Sequence, residues 1–425
     1  MNLPATELSE LPLRLEQPDF PARPDHAVLL SATARMVADG SAVTKADITR
    51  TLDIARSTAN VVVDDLLERG LIERAGNSEA SGRGRPGERL VIAPSFGTVL
   101  VADIGNRSTR VCVSDLSQQV RAARSLDIGF EDAPDQVLAA VIAALDDALD
   151  SSDCDPALVR CVAVGLPASI DIRSLPPVIR RPTNSLWDGF PVTHHLSRHF
   201  ECPVILENDA NLRAIAESRI LPAHQLPLIY IKMGTGVGGG IIGREGRLQR
   251  GADGAAGEIG HIQVHSALEI RCSCGKYGCL QAIASESALL ERIRSRTGEN
   301  PSATTESNLT ERLRSGDLVT AEVMHESALA IGEVVAALVQ FHNPARVVLG
   351  GALIEANEET LAVVRSIVYR SAHPLATRNL YLGQSLLGRD GALIGGVISA
   401  IEHALSPDRI SSARPGESKI TFTEG

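Results

Sequence analysis

A histidine and three cysteines offer the most specific chemistry in this sequence. In "GEIGHIQVHSALEIRCSCGKYGC", His261, Cys272, Cys274 and Cys279 follow the spacing H-x10-C-x-C-x4-C. Four soft nitrogen and sulfur donors suit tetrahedral zinc, and four protein ligands leave no open position for catalytic water, so the spacing predicts a structural zinc site. Such a site fixes the loop carrying Glu258 and orients His261, whose second ring nitrogen is left to face a ligand. The plainer reading is three reduced surface thiols. Cys112, Cys154, Cys161 and Cys202 are scattered singly, which suits reduced core thiols rather than a disulfide framework.

Hydroxyl-binding chemistry gathers in two other stretches. "VILENDANLRA" sets Glu207, Asn208, Asp209 and Asn211 directly after a strand, the end of an open α/β sheet where ligands bind. Asp209 reads as a general base toward a sugar hydroxyl or as the cap of the next helix. "GEIGH" adds Glu258 and His261 as further hydroxyl partners. Gly234, Gly236, Gly238, Gly239 and Gly240 crowd one strand-turn-strand, as a phosphate cradle or as a tight hairpin. "VVLGGALIEA" ends a strand in Gly350 and Gly351, against an adenine or against a helix.

The elements that must carry these groups fall into two grammars. Near the start, "DHAVLLSATARMVADG" reads as a helix capped by Asp25 and stopped at Gly40. Thr44 and Asp47 form a variant capping box for a second. In "ARSTANVVVDDLLERG", Ala59, Val62, Val63, Leu66 and Leu67 define one buried helical face. Two short strands, "LIERAG" and "ERLVIAP", flank the loop "NSEASGRGRPG". Three helices and a two-stranded wing form a winged helix-turn-helix. Its third helix would present Arg56, Ser57, Thr58 and Asn60 to base edges. Arg83 and Arg85 on the wing tip suit a narrow, A·T-rich minor groove. The rival is a small helical cap with a solvated basic loop. From residue 96 apolar strands alternate with helices. "TVLVADIG" with "TRVCVSDL", and later "LIYIKMGTGVGGGIIGREG", repeat one plan, which suggests a duplicated α/β core with a cleft between its halves.

Bulk properties bound these readings. The net charge of −11 argues against a whole-protein nucleic-acid coat, yet residues 31–92 hold nine basic and nine acidic side chains, a neutral island. No apolar run approaches the roughly 20 residues of a membrane span. The N-terminus lacks the pattern of a signal peptide, so the expected location is cytoplasmic.

Taken together, "GEIGH…CSCGKYGC", "GTGVGGGII", "LENDAN", "VVLGG" and "DGALIGGVISAIEHAL" resemble the ROK family of sugar kinases and sugar-responsive repressors over about residues 96–405. The winged helix in front resembles the repressor branch. The resemblance implies an actin-like, ribonuclease-H-like ATPase fold of two lobes, a sugar in the cleft between them, and zinc at the histidine and three cysteines. By motif position Asn208, Asp209, Glu258 and His261 would touch the sugar, with Asp209 the base in a kinase. Two places depart from the kinase pattern, and a third matches it loosely. The first phosphate loop reads "DIGNR", with Arg107 where a hydroxyl is expected after Asp103 and Gly105. Gln281 stands after "GCL" where the family carries a glutamate. In "RPTNSLWDG", Thr183 follows the proline, with Asn184 next to it.

The expected organisation is a flexible tail over 1–24, a winged helix-turn-helix over 25–95, a sugar-kinase-like sensor over 96–405 and a polar tail over 406–425. The expected function is a DNA-binding transcriptional regulator, a repressor, without catalysis of its own. Its partners would be a double-stranded inverted-repeat operator and a carbohydrate effector, with the chain assembled as a homodimer or homotetramer and away from membranes. The rival readings are an ATP-dependent hexose kinase with an appended DNA-binding module, and a scaffold with a dead cleft.

Overall fold

The computed structural model describes residues 13–77, 88–181, 186–299 and 306–412. Local capping builds the N-terminal helices. Asp25 accepts the Val28 amide at 2.9 Å and starts α1 (His26–Ala38). Thr44 accepts the Asp47 amide at 3.1 Å and opens α2 (Lys45–Leu52), which ends on Asp53 in the left-handed region at φ 50°. In α3 (Arg56–Glu68) Ala59, Val62, Val63 and Leu66 are buried, at the spacing expected of one helical face. Leu67 is only half-buried. The wing follows as an antiparallel pair, β1 (Ile72–Asn77) and β2 (Glu88–Ile92). Its tip, with Arg83 and Arg85, lies outside the described residues.

The chain then runs through β3 (Thr98–Ile104), β4 (Thr109–Asp115), β5 (Val120–Leu126), α4 (Pro134–Asp150) and β6 (Val159–Leu166). A small hairpin, β7 (Ser169–Asp171) and β8 (Val178–Arg180), precedes α5 (Val192–Phe200) and β9 (Val204–Asn208). Next come α6 (Asp209–Arg219), the hairpin β10 (Leu228–Met233) and β11 (Val237–Ile242), then α7 (Gln281–Ala284), α8 (Glu286–Thr297), α9 (Glu306–Arg314) and α10 (Leu318–His342). The remainder comprises β12 (Arg346–Gly350), α11 (Ala352–Ala356), α12 (Glu358–Ser371), α13 (Pro374–Thr377), β13 (Tyr381–Gln384), α14 (Gly391–Ala404) and α15 (Pro407–Ser412).

Two compact units result. One holds residues up to Leu166, Pro191–Glu207 and Leu393 onward; the other holds Pro167–Phe190 and Asn208–Ala392. The first contains the winged helix and a five-stranded sheet in the order β5-β4-β3-β6-β9. β3 pairs antiparallel with β4 and parallel with β6. The second contains a sheet in the order β11-β10-β12-β13, where β10 pairs antiparallel with β11 and parallel with β12. Each sheet thus starts from a hairpin and grows by parallel strands on its other side, the duplication that the repeated strand plan predicts.

The described parts of both expected tails are built into the fold. The chain is anchored from Leu13 onward. Leu13 and Leu15 are buried, Asp39 accepts the Leu15 amide at 2.9 Å, and Glu402 accepts the Glu16 amide at 2.6 Å. Arg35 of α1 donates to the carbonyl of Glu16 and, at 2.6 Å, to that of Glu402. The C-terminal stretch expected to be irregular instead forms α15, which buries Ile410. Ser31 donates to the Leu405 carbonyl at 2.5 Å and Arg69 to that of Ile410 at 3.0 Å, so α1 and the end of α3 are both bound to this late part of the chain.

Candidate functional site

β9 and α6 meet at Asn208 and Asp209. The cap of α6 is Asn208, whose Oδ1 accepts the Ala210 amide at 2.8 Å and the Asn211 amide at 3.3 Å. Its Nδ2 donates to the Ala168 carbonyl at 3.1 Å, so this amide mainly holds the strand-to-helix turn. Asp209 is relieved of capping and pairs instead with Lys232 of β10, Nζ to Oδ2. Nothing in the sequence marks this lysine, because it sits inside the apolar run "LIYIKM". Glu258 accepts a hydrogen bond from Ser169 Oγ at 2.5 Å, and its other oxygen lies 4.0 Å from His261 Nε2. Ser169, on β7, carries no motif that would have marked it.

The metal-type ligands come together as their spacing predicts. One donor atom from each of His261, Cys272, Cys274 and Cys279 lies within 4.8 Å of every other. Cys274 Sγ and Cys279 Sγ are 3.7 Å apart, and His261 Nδ1 is 3.8 Å from Cys272 Sγ. A tetrahedron with bonds of about 2.3 Å has edges of about 3.8 Å, so two donor pairs already stand at such an edge and the rest lie within about 1 Å of it. Burial, with Cys274 and Cys272 adding to it, pushes the Cys279 thiol up to about 12. Ligation of an ion through all three sulfurs would need that thiol's proton displaced by the cation's charge. The histidine divides its nitrogens, Nδ1 toward the sulfurs and Nε2 toward Glu258. Gln281 links the neighbourhood to the glycine hairpin: its Oε1 accepts the Val237 amide at 3.4 Å and its Nε2 reaches Ser273 Oγ at 3.4 Å.

Two of the glycine clusters have packing duties. A Cβ on Gly240 would stand 2.6 Å from the Ala214 Cβ, because α6 lies directly on β11. Gly351, at φ 118°, would place a Cβ 1.8 Å from the Met233 carbonyl oxygen. The first of these favours the hairpin reading over a cradle, and the second sets the 350–351 turn against the end of β10.

In the other unit, Asp103 ends β3 directly opposite Arg110 of β4, whose guanidinium reaches it at 3.1 Å. Both side chains are largely buried. Arg107 points to Glu131 at 3.4 Å on the surface, and the Gly105 and Asn106 carbonyls accept the Phe130 and Glu131 amides at 2.8 and 2.9 Å. On α3, Arg56, Ser57 and Asn60 are exposed and Thr58 is half-buried. Val61 beside them is 59% exposed, an apolar group on the outward face that the run of three valines concealed. Lys45 of α2 borders the same face, paired with Asp64 at 2.9 Å.

A winged helix followed by a twice-built, ribonuclease-H-like strand plan, with an acidic helix start and a cluster of one histidine and three cysteines, defines a sugar-kinase-like core behind a DNA-binding-type module. The chain belongs to the ROK family, whose match covers residues 99–402, and residues 23–84 match the MarR family. A xylose repressor from Caldicellulosiruptor bescii is 25% identical over 383 residues, covering 88% of this chain and 95% of that protein. The crystal structure of a ROK family transcriptional regulator, a homolog of the E. coli MLC protein, superposes with a TM-score of 0.74 at 21% identity, covering 91% and 98% of the two chains, and so shares the fold. A ROK hexokinase from Thermus thermophilus superposes with a TM-score of 0.59 at 26% identity and covers 99% of its own length but 72% of this chain.

Proposed function

We propose that this chain is a sugar-responsive transcriptional repressor that binds operator DNA through its winged helix and a carbohydrate through its kinase-like core. The observation that carries this reading is the extent of the likeness. The match to a protein named as a xylose repressor runs through both parts of the chain, whereas the hexokinase accounts for the core alone. Arg56, Ser57, Thr58 and Asn60 read base edges, and Arg83 and Arg85 of the wing enter an A·T-rich minor groove. Asn208, Asp209, Glu258 and His261 form the sugar site. His261, Cys272, Cys274 and Cys279 hold a structural zinc, which supplies no chemistry and keeps the loop that carries Glu258 in place. The regulator works in the cytoplasm as a homodimer or homotetramer on an inverted repeat.

Phosphoryl transfer is not part of this reading. Arg110 is the partner of Asp103, and Lys232 is the partner of Asp209, so each acid that a kinase would use already has a cation. No described helix is long and apolar enough to cross a membrane. The test is release of the purified protein from its own upstream DNA by a panel of sugars, with ATP consumption measured alongside. Sugar-dependent ATP turnover of about 1 s⁻¹ or more, an ordinary enzyme rate, without any effect on DNA binding would replace the repressor by a kinase.

A further inference from the structure

Lys232 is an odd occupant of its strand. Along β10, Ile229, Ile231 and Met233 enter the apolar core of their unit, and Lys232 falls on the opposite face, toward α6. Its partners in register on the two adjacent strands are Gly238 of β11 and Gly350 of β12. Neither glycine offers a side chain to the lysine, and the Tyr230 hydroxyl lies over Gly350 while the Ala210 methyl lies over Gly238. The ammonium meets Asp209 at the start of α6, and the two side chains are 17% and 7% exposed.

A pair of charges so far from water is costly compared with an apolar pair of the same volume, so its retention calls for a use. The ammonium has three N–H donors, and Asp209 is its hydrogen-bond partner among the described residues. A carboxylate only accepts and an ammonium only donates. A hydroxyl does both.

We propose that Lys232 is a ligand-recognition residue which, with Asp209, reads one hydroxyl of a neutral sugar: the lysine donates to the hydroxyl oxygen while the aspartate accepts its hydrogen. This deepens the sugar-site reading above and rests on it. The pair carries no net charge, and Glu258 lies in the same candidate site. A phosphate ester or sugar acid at that position would meet Asp209 head-on, so the ligand class is an uncharged sugar. Transfer of the hydroxyl proton to Asp209 would also break the ion pair, so the arrangement binds the hydroxyl without activating it.

The experiment is calorimetric titration of the full-length, zinc-loaded protein with D-glucose, D-xylose, N-acetyl-D-glucosamine and their phosphate esters. The tightest sugar is followed by its monodeoxy analogues, each against wild type, Lys232→Met, Lys232→Arg and Asp209→Asn. One deoxy analogue should bind wild type roughly 10- to 100-fold more weakly than the parent, the worth of a hydrogen bond to a charged group. That penalty should shrink to within about threefold in Lys232→Met and recover in part in Lys232→Arg. A purely structural lysine would weaken parent and analogue equally, and an unchanged penalty in Lys232→Met overturns the proposal. Preference of wild type for a phosphate ester, lost in Lys232→Met, overturns the uncharged class. If Lys232→Met fails to fold, the comparison of Lys232→Arg with Asp209→Asn decides: an equal deoxy penalty in both and in wild type overturns the assignment. Wild type that binds none of the sugars overturns the sensor reading itself, and this role with it.

Discussion

At the scale of single residues the sulfur cluster has the sharpest consequence. Structural zinc in small sites contributes about 10–16 kcal/mol of apparent binding free energy at neutral pH, so Cys274→Ser should cost the ion and loosen residues 257–281. Elemental analysis of protein purified without chelator should give one zinc per chain in wild type and far less in the variant, with faster amide exchange across that loop. A wild type free of zinc would refute the assignment. The clustering of the histidine and three cysteines was legible in the sequence because their chemistry is rare and their spacing tight. Asp209 was legible as an acid but not in its role, since whether it caps a helix or faces a ligand depends on Asn208 taking the cap. Its partner Lys232 was not legible, because a lone cation in an apolar strand acquires meaning only from what the next helix brings to it. The glycines left cradle and hairpin both open for a similar reason: nothing in "GTGVGGGII" says that Ala214 will press on Gly240.

Helices and strands carry two predictions about stability. Asp317 caps α10, accepting the Thr320 amide at 2.8 Å and the Thr320 hydroxyl at 2.5 Å, with Arg312 at 3.2 Å. The Thr320 hydroxyl above all, with its amide and Arg312, holds this carboxyl below its ordinary 3.8 against the opposing effect of burial, which is second in size. Asp317→Ala should cost about 1 kcal/mol. A depressed carboxyl stabilises the fold above its unfolded value, so the cost should be full at neutral pH and fade as pH falls below about 3.8. Urea unfolding followed by the emission of Trp187, the only tryptophan and a buried one, measures it. His403 of α14 runs the other way from an ordinary surface histidine: burial, then the charges of Arg409 and Arg35, push its imidazole down to about 4. Between 6.5 and 4 the unfolded chain binds the proton and the folded one does not, so stability should fall on acidification by up to about 1.4 kcal/mol per pH unit and be flat above. Circular dichroism melts of wild type and His403→Leu should diverge only in that window; parallel curves would refute the burial argument. The capped helices α1 and α2 were readable from their first residues. The anchored segment from Leu13 was not, since proline-rich stretches show no period and its partners lie on α1, in the β4–β5 turn and near the end of α14.

For the whole molecule the central prediction is linkage. If a sugar releases the protein from DNA, it must bind the DNA-bound form more weakly by the same factor, typically about 5–150-fold. Sugar affinity measured with and without operator gives that factor, and equal affinities would show that the kinase-like core does not control DNA binding. Arg85→Ala should weaken DNA binding and leave sugar affinity unchanged. The way the winged helix is seated has a further consequence, one of timing. Ser31 finds its acceptor 374 positions later in the chain, and Arg69 finds one 341 positions later. On the ribosome helices α1 to α3 are complete long before Leu405 and Ile410 exist, so the part that meets DNA is made first and seated last. A product cut short before α14 would carry these helices without the surface that holds them, and a newly made molecule would take up its finished form only once translation has passed α15.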